Sequence, residues 1–167
     1  MSSYGVSLQS VLPAACRSVA DAHFLEGAFS LGVIQEAYGY YLAHGFVKAQ
    51  LIGVNDFVGV KSKMSDEQLN ALATQILLER YYLTQFELIL FCGRMRSGAY
   101  SEFYGSVDPM RILGFMAEFC SERISDIDRY EREQSRMADE EREKTRKVYT
   151  FEEFSREFPE QARLIKI

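Results

Sequence analysis

Arg94, Arg96 and Arg111 share one short stretch with Tyr100, Phe103 and Tyr104. Aromatic faces stack on unpaired bases and guanidinium groups meet phosphates, which together make up the machinery of single-strand nucleic-acid binding. The same side chains also have a structural use. Arg94 and Arg96 stand where a helix is expected to end, a place at which the helix dipole favours cations, and Tyr or Phe in a loop commonly plugs the end of a helical bundle. With Glu102 and Asp108 in the same stretch, three arginines against two carboxylates leave a local charge of only +1, a weak field for a polyanion. The structural use is therefore the leading expectation, with nucleic-acid binding through residues 94–111 as the alternative.

Other chemistries find less support. His23 and His44 are the only histidines, and no cysteine or carboxylate stands near either at ligand spacing, so neither a metal site nor a histidine-based catalytic site is expected. Glu79, Glu87 and Glu118 lie beside apolar runs where a buried acid or base would sit, but Glu87 is already explained as a capping residue and no carboxylate pair stands out. The glycines between positions 93 and 105 lack the lysine and hydroxyl ending of a phosphate-binding loop. A non-enzymatic protein follows, with no cofactor and no small-molecule substrate.

Cys16, Cys92 and Cys120 are odd in number and none is paired at Cys-x-x-Cys spacing, which suggests neither a disulfide framework nor zinc and fits a reducing, cytoplasmic setting. The opening Met1-Ser2-Ser3-Tyr4 introduces no basic then apolar leader, and no uncharged stretch approaches the roughly 20 residues that span a bilayer. The net charge of -5 argues against a surface that covers nucleic acid by phosphate neutralisation.

The elements that position these residues read as helices. The first thirty residues, interrupted by Pro13, give only short helical pieces. Residues 29–41 and 45–58 carry dense apolar residues at helical spacing, with a break expected at residues 42–45, and read as core helices. Ile52, Gly53 and Val54 look strand-like but have no partner segment.

From Met64 onward the signals are sharper. Ser65 with Gln68 forms a capping box, with Met64 and Leu69 as its staple. Leu69, Leu72, Ala73, Ile76 and Leu77 then make one buried stripe ending near Tyr81. Thr84 with Glu87 repeats the box for a helix over residues 85–96. Residues 97–106 are a loop. Asp108 caps a long helix with Pro109 at its first position and Val107 packing on Ile112. Its expected core stripe is Leu113, Met116, Ala117, Cys120, Ile124 and Ile127.

Residues 122–147 hold nine acidic and eight basic side chains. Many are paired acid-first, such as Asp128 with Arg132, Glu140 with Lys144 and Glu143 with Lys147. Each exposed pair contributes only about 0.3 to 0.5 kcal/mol, enough to prolong a helix but not to build a core. Past Ile127, Tyr130, Met137 and Val148 are the only sizeable apolar residues up to position 148, so this run lacks a coiled-coil repeat. Thr150 and Glu153 then cap a tail helix that ends before Pro159 and carries Phe151, Phe154 and Phe158 on one side, a surface for a partner or for self-association.

The order Met64-Ser65-Asp66-Glu67-Gln68, then Ile76-Leu77-Leu78-Glu79, then Ser97 through Pro109, closing with Glu122-Arg123, resembles that of small helical proteins of unknown function encoded in gut-bacterial genomes, phages and conjugative elements. The resemblance covers residues 33–133, with Ser101 where that family's pattern carries a second glycine. It implies a helical fold and a mobile-element setting, and transfers no catalytic residue. The expectation is an all-α protein: a compact bundle of about five to six helices over residues 1–130, a long charged C-terminal helix extending from the core, and residues 131–167 as extension and aromatic tail. Its function would be that of an interaction or adaptor protein, accessory to DNA replication or transfer in a mobile element.

Overall fold

The computed structural model describes residue 12 and residues 15–101, 103, 105–146 and 149–164. Expectations for Pro13, Glu102, Tyr104, Lys147 and Val148 lie outside the described residues. The fold is all-α, with eight helices and no strand among the described residues: α1 (Val19–His23), α2 (Leu31–Tyr38), α3 (Tyr40–Phe57), α4 (Asp66–Glu79), α5 (Gln85–Arg96), α6 (Pro109–Thr145), α7 (Phe151–Glu157) and α8 (Pro159–Ala162). The chain divides into two units, Met1–Tyr130 and Glu131–Ile167. No helix among the described residues is long and apolar enough to cross a membrane.

In the first unit α3 packs on α4 and α5, α2 on α3, and α1 on α5. The capping boxes start their helices as the spacing demands. Ser65 Oγ accepts from the Gln68 amide at 3.3 Å while Gln68 Oε1 accepts from the Ser65 amide at 2.9 Å, and Thr84 with Glu87 does the same at 3.1 and 2.7 Å. A box that the residue pattern did not reveal, Ser18 with Asp21, opens α1. The Ser18 amide, bonded to the Asp21 carboxylate, holds that carboxyl below its ordinary range. The buried positions of α4 are the five of the expected stripe, and α5 is buried without interruption from Glu87 to Gly93.

Three expectations need correction. The break expected at residues 42–45 falls instead at Gly39, where φ is +87° and ψ 159°, a conformation essentially reserved for glycine. Ala43 is fully buried and His44 Nε2 reaches the Asn70 carbonyl at 3.2 Å, so the helix runs on through Gly45. Residues 29–38 are not a core helix, because α2 buries only Leu31 and leaves Phe29, Val33 and Tyr38 exposed. The stripe on α6 holds in part and is rotated: Met116 is buried as expected and Leu113 and Cys120 pack against the core, but the other buried side chains are Ile112, Phe115, Phe119 and Asp126, whereas Ala117 is exposed and Ile124 is 62% exposed. The rotation turns two phenyl rings inward, Phe119 onto Phe91 and Phe115 onto Tyr100, and it brings Arg123 and Asp126 to buried partners, which an apolar count scores as outward.

Side chains close the connections. Asn55 clasps Met64 in both directions, donating Nδ2–H to its carbonyl at 3.3 Å and accepting from its amide at 2.9 Å. Lys63 Nζ donates to the carbonyls of Asn55 and Val58 at the end of α3, where free carbonyls favour a cation. The loop after α5 is pinned by the Ser62 amide on the Gly105 carbonyl at 3.3 Å and the Val107 amide on the Ser62 carbonyl at 3.0 Å.

In the second unit residues 131–146 are all exposed. Arg136 reaches Glu133 and Glu140 at 3.8 Å each, and Arg142 reaches Asp139 at 3.6 Å. The Thr150 and Glu153 box starts α7. Pro159 does not merely follow that helix but opens α8. Phe158 is the C-cap of α7, with Phe154 and Tyr149 against it at ring separations of 5.4 and 6.0 Å, while Phe151 is 57% exposed.

Burial pushes the Cys92 thiol up to about 12, so at mildly alkaline pH it remains protonated, and no surface exposes it to a reagent. Mass spectrometry after brief iodoacetamide treatment should find Cys92 unmodified in the folded protein and modified after denaturation. Native-state labelling of Cys92 as fast as that of the half-buried Cys16 and Cys120 would show the core packing to be wrong.

Candidate functional site

The loop that joins α5 to α6 brings most of the sequence-derived cluster together, but turns it inward. Tyr100 stacks on Phe115 at 5.1 Å with 14° between the planes, and Phe103 meets the same ring edge-on at 5.7 Å. Arg111 lies 5.9 Å above Phe115 and donates to Ser101 Oγ at 3.0 Å. Arg94 donates to the Glu122 carboxylate at 2.7 Å and lies 5.7 Å over Phe119. Burial raises the Tyr100 hydroxyl to about 12. Arg96 extends toward α3, its Nη1 standing 3.3 Å from where a Cβ on Gly53 would be. Tyr100 thus spends one ring face on Phe115, a face that base stacking would need free, while Phe103 meets Phe115 edge-on. A cleft of about 330 Å³ remains beside them, lined by residues including Phe57, Val60, Met95, Arg96, Tyr100 and Phe103.

A second cluster did not come from spacing. Glu87 is fully buried and uses both carboxylate oxygens. Oε2 accepts from the Thr84 amide, closing the capping box, and Oε1 accepts from Arg123 Nε at 2.7 Å and lies 3.0 Å from His23 Nδ1. Arg123 Nη2 in turn lies 3.2 Å from His23 Nδ1. The guanidinium sits 5.3 Å over the Tyr82 ring, whose hydroxyl donates to Cys120 Sγ at 3.6 Å, and burial raises that phenol above its usual range. One helical turn beyond Arg123, buried Asp126 accepts from the Val19 amide at 2.9 Å and from Arg129 at 2.6 Å. The two carboxylates thus fasten both ends of α1.

The cluster is a clamp that ties three helices together: Glu87, Arg123 and Asp126 are each hydrogen-bonded within the chain and link α1 to α5 and α6. Among the described residues no three His, Cys, Asp or Glu side chains are grouped to hold a metal ion. The signal that could have exposed the clamp is the inward phase of Arg123 and Asp126 on a helix whose Phe115 and Phe119 face the core.

The surface unexplained by internal packing lies on α2 and α3. Val33, Tyr38, Tyr41 and Leu42 are 48, 70, 90 and 55% exposed, joined by Leu78 and Tyr81 from the end of α4 and the turn after it at 67 and 57%. Two bonds bring the segments that carry them together: Gly32 donates its amide to the Tyr81 carbonyl at 2.8 Å, and the Tyr40 hydroxyl lies 3.2 Å from Thr74 Oγ1, one turn before Leu78. Large apolar side chains exposed on adjoining segments differ from singly scattered ones, which need no explanation. Sequence reasoning missed this surface because an apolar helical pattern reads as core whichever side it faces.

If the clamp carries the packing of α1 and α6 on α5, Arg123→Ala leaves a buried carboxylate short of its cation and lowers the unfolding free energy by about 3 kcal/mol or more. Adding Glu87→Gln should recover part of that loss in urea titrations. Losses that simply add would contradict the pairing.

The model of a family of unknown function, DUF6633, matches residues 63–165. No curated protein matches the chain, and no solved structure does. The matched span takes in α4 to α8, with Glu87, Arg123 and the loop after α5, and lies further toward the C-terminus than the residues 33–133 over which the resemblance was drawn. The chain therefore belongs to the family of unknown function DUF6633.

Proposed function

We propose that this is a non-enzymatic interaction protein, an adaptor that binds another protein chain through the apolar surface of α2 and α3. The observation that carries the reading is the exposure of Tyr38 and Tyr41 at 70 and 90%, within a surface that also presents Val33, Leu42, Leu78 and Tyr81. Tyrosine on such a surface supplies a large, rigid contact with a polar tip, the composition favoured where proteins bind proteins. The tail helix α7, which buries none of its residues and exposes Phe151, is a second and smaller apolar feature for a partner. The role of accessory to DNA replication or transfer in a mobile element rests on the resemblance noted from the sequence alone. Nucleic-acid binding through Arg94, Arg96, Arg111 and the neighbouring rings is the weaker reading, because Tyr100 and Phe103 are engaged with Phe115.

A photo-crosslinking amino acid placed at Tyr41 in cells should yield a discrete protein adduct on irradiation, and the same group at exposed Glu67 should not. No adduct at Tyr41, or an adduct that nuclease removes, would overturn the reading.

A further inference from the structure

Helix α3 is apolar on two opposite sides. Ala43, Val47, Leu51 and Val54 fill the core, while Tyr41, Gly45, Ala49 and Ile52, spaced by three or four residues on the far side, are all exposed. A surface helix ordinarily carries its charges on that far side. Here the one charged residue on it is Asp56, almost at the C-terminal end. The polar groups on the flank are used within the chain: Lys48 pairs with Asp66 at 2.6 Å and His44 meets the Asn70 carbonyl. Glycine inside a helix costs about 1 kcal/mol relative to alanine, yet nothing lies within 4 Å of where a Cβ on Gly45 would stand. The packing of the described residues gives no reason for glycine at that position, whereas close approach of another helix does.

We infer that this face is covered by the same face of a second copy of the chain, the two α3 helices lying antiparallel about a two-fold axis between Gly45 and Ala49. The inference rests on the reading of the protein as an interaction protein and names its partner. The order of side chains selects the occupant. Along the exposed stripe Leu42, Gly45, Ala49 and Ile52 the order outward from the centre is large after small in both directions, so a two-fold sets Gly45 opposite Ala49 and Leu42 opposite Ile52, with Tyr41 opposite Gly53, as an isologous contact requires. Charge selects it too. A charged partner would find no complementary group along three turns, whereas in the antiparallel pair the two Asp56 side chains fall about 27 Å apart at 1.5 Å per residue, beyond the roughly 8 Å screening length of physiological salt. One helix face is smaller than the roughly 800 Å² per partner of a standard interface, so the association is weak, of about micromolar dissociation constant.

Sedimentation velocity of the full chain with reductant, from about 1 to 200 µM, tests this. The wild-type mass should climb from 19.2 kDa toward twice that value, and added salt should strengthen the association rather than weaken it. Ala49→Lys and Gly45→Glu each place like charges near the axis and should raise the dissociation constant about tenfold or more. An equimolar mixture of the two variants sets the new lysine opposite the new glutamate and should restore the dimer, a readout that stands even if one variant shifts the thermal transition. A chain that stays monomeric throughout, variants that associate like wild type, or a mixture that stays apart would overturn the inference. If the chain is monomeric while the Tyr41 crosslinker still captures a different protein, this inference fails and the interaction reading stands; if the crosslinker captures nothing as well, both fail.

Discussion

A carboxylate withdrawn from water must be repaid by hydrogen bonds and opposite charge, or it unfolds the structure around it. Glu87 meets that condition with partners from three places in the chain: the Thr84 amide at the start of its own helix, Arg123 on α6 and His23 at the end of α1. No one of these segments could satisfy it alone. The requirement therefore fixes the axial position of α6 against α5 and brings the short α1 to rest beside both, with Asp126 taking the Val19 amide at the other end of α1. Once α6 is placed, Phe115 and Phe119 are placed with it, and they in turn draw in Tyr100, Phe103 and Phe91. The aromatic loop is a consequence of the clamp.

Helix α3 is held chiefly by hydrophobic burial, with Lys48, His44 and Asn55 bonded at its flank and end. Helix α3 uses one apolar face on α4 and α5, but its own neighbours leave the other uncovered. The buried carboxylates of the polar clamp, Glu87 and Asp126, are satisfied within the chain. The outer face is the reverse case, with Tyr41, Ala49 and Ile52 left exposed to water by the described residues. A monomer gains nothing from that arrangement, whereas a protein that works by docking does.

What could be read from the residues followed the range of the interaction involved. Capping is local, so Ser65, Thr84 and Thr150 marked their helices correctly and the stripe of α4 was read residue by residue. The break before α3 lies elsewhere than expected because two glycine signals compete, and Gly39, which adopts a positive φ, outweighs the break expected at residues 42–45. The phase of α6 failed for a different reason. Counting aliphatic residues gave weight to Ile124 and none to Arg123, yet a buried acid on another helix makes the arginine face inward, and that partner is 36 residues away in the chain. Glu87 itself had been assigned to capping, which it does with one oxygen while the other holds the clamp. The exposed face of α3 was illegible because periodicity reports that a helix is apolar and is silent on whether each side has a neighbour.

The central claim is that the outer face of α3 is a contact surface. Hydroxyl-radical footprinting of the full chain reads it directly, through the oxidation of Tyr41 in dilute purified protein compared with the same chain inside cells, with exposed Met110 as internal reference. Strong oxidation in dilute solution and marked protection of Tyr41 in cells, with Met110 unchanged, is the result expected of a surface that functions by being covered. Equal oxidation of Tyr41 in both settings would mean that the face stays bare where the protein works.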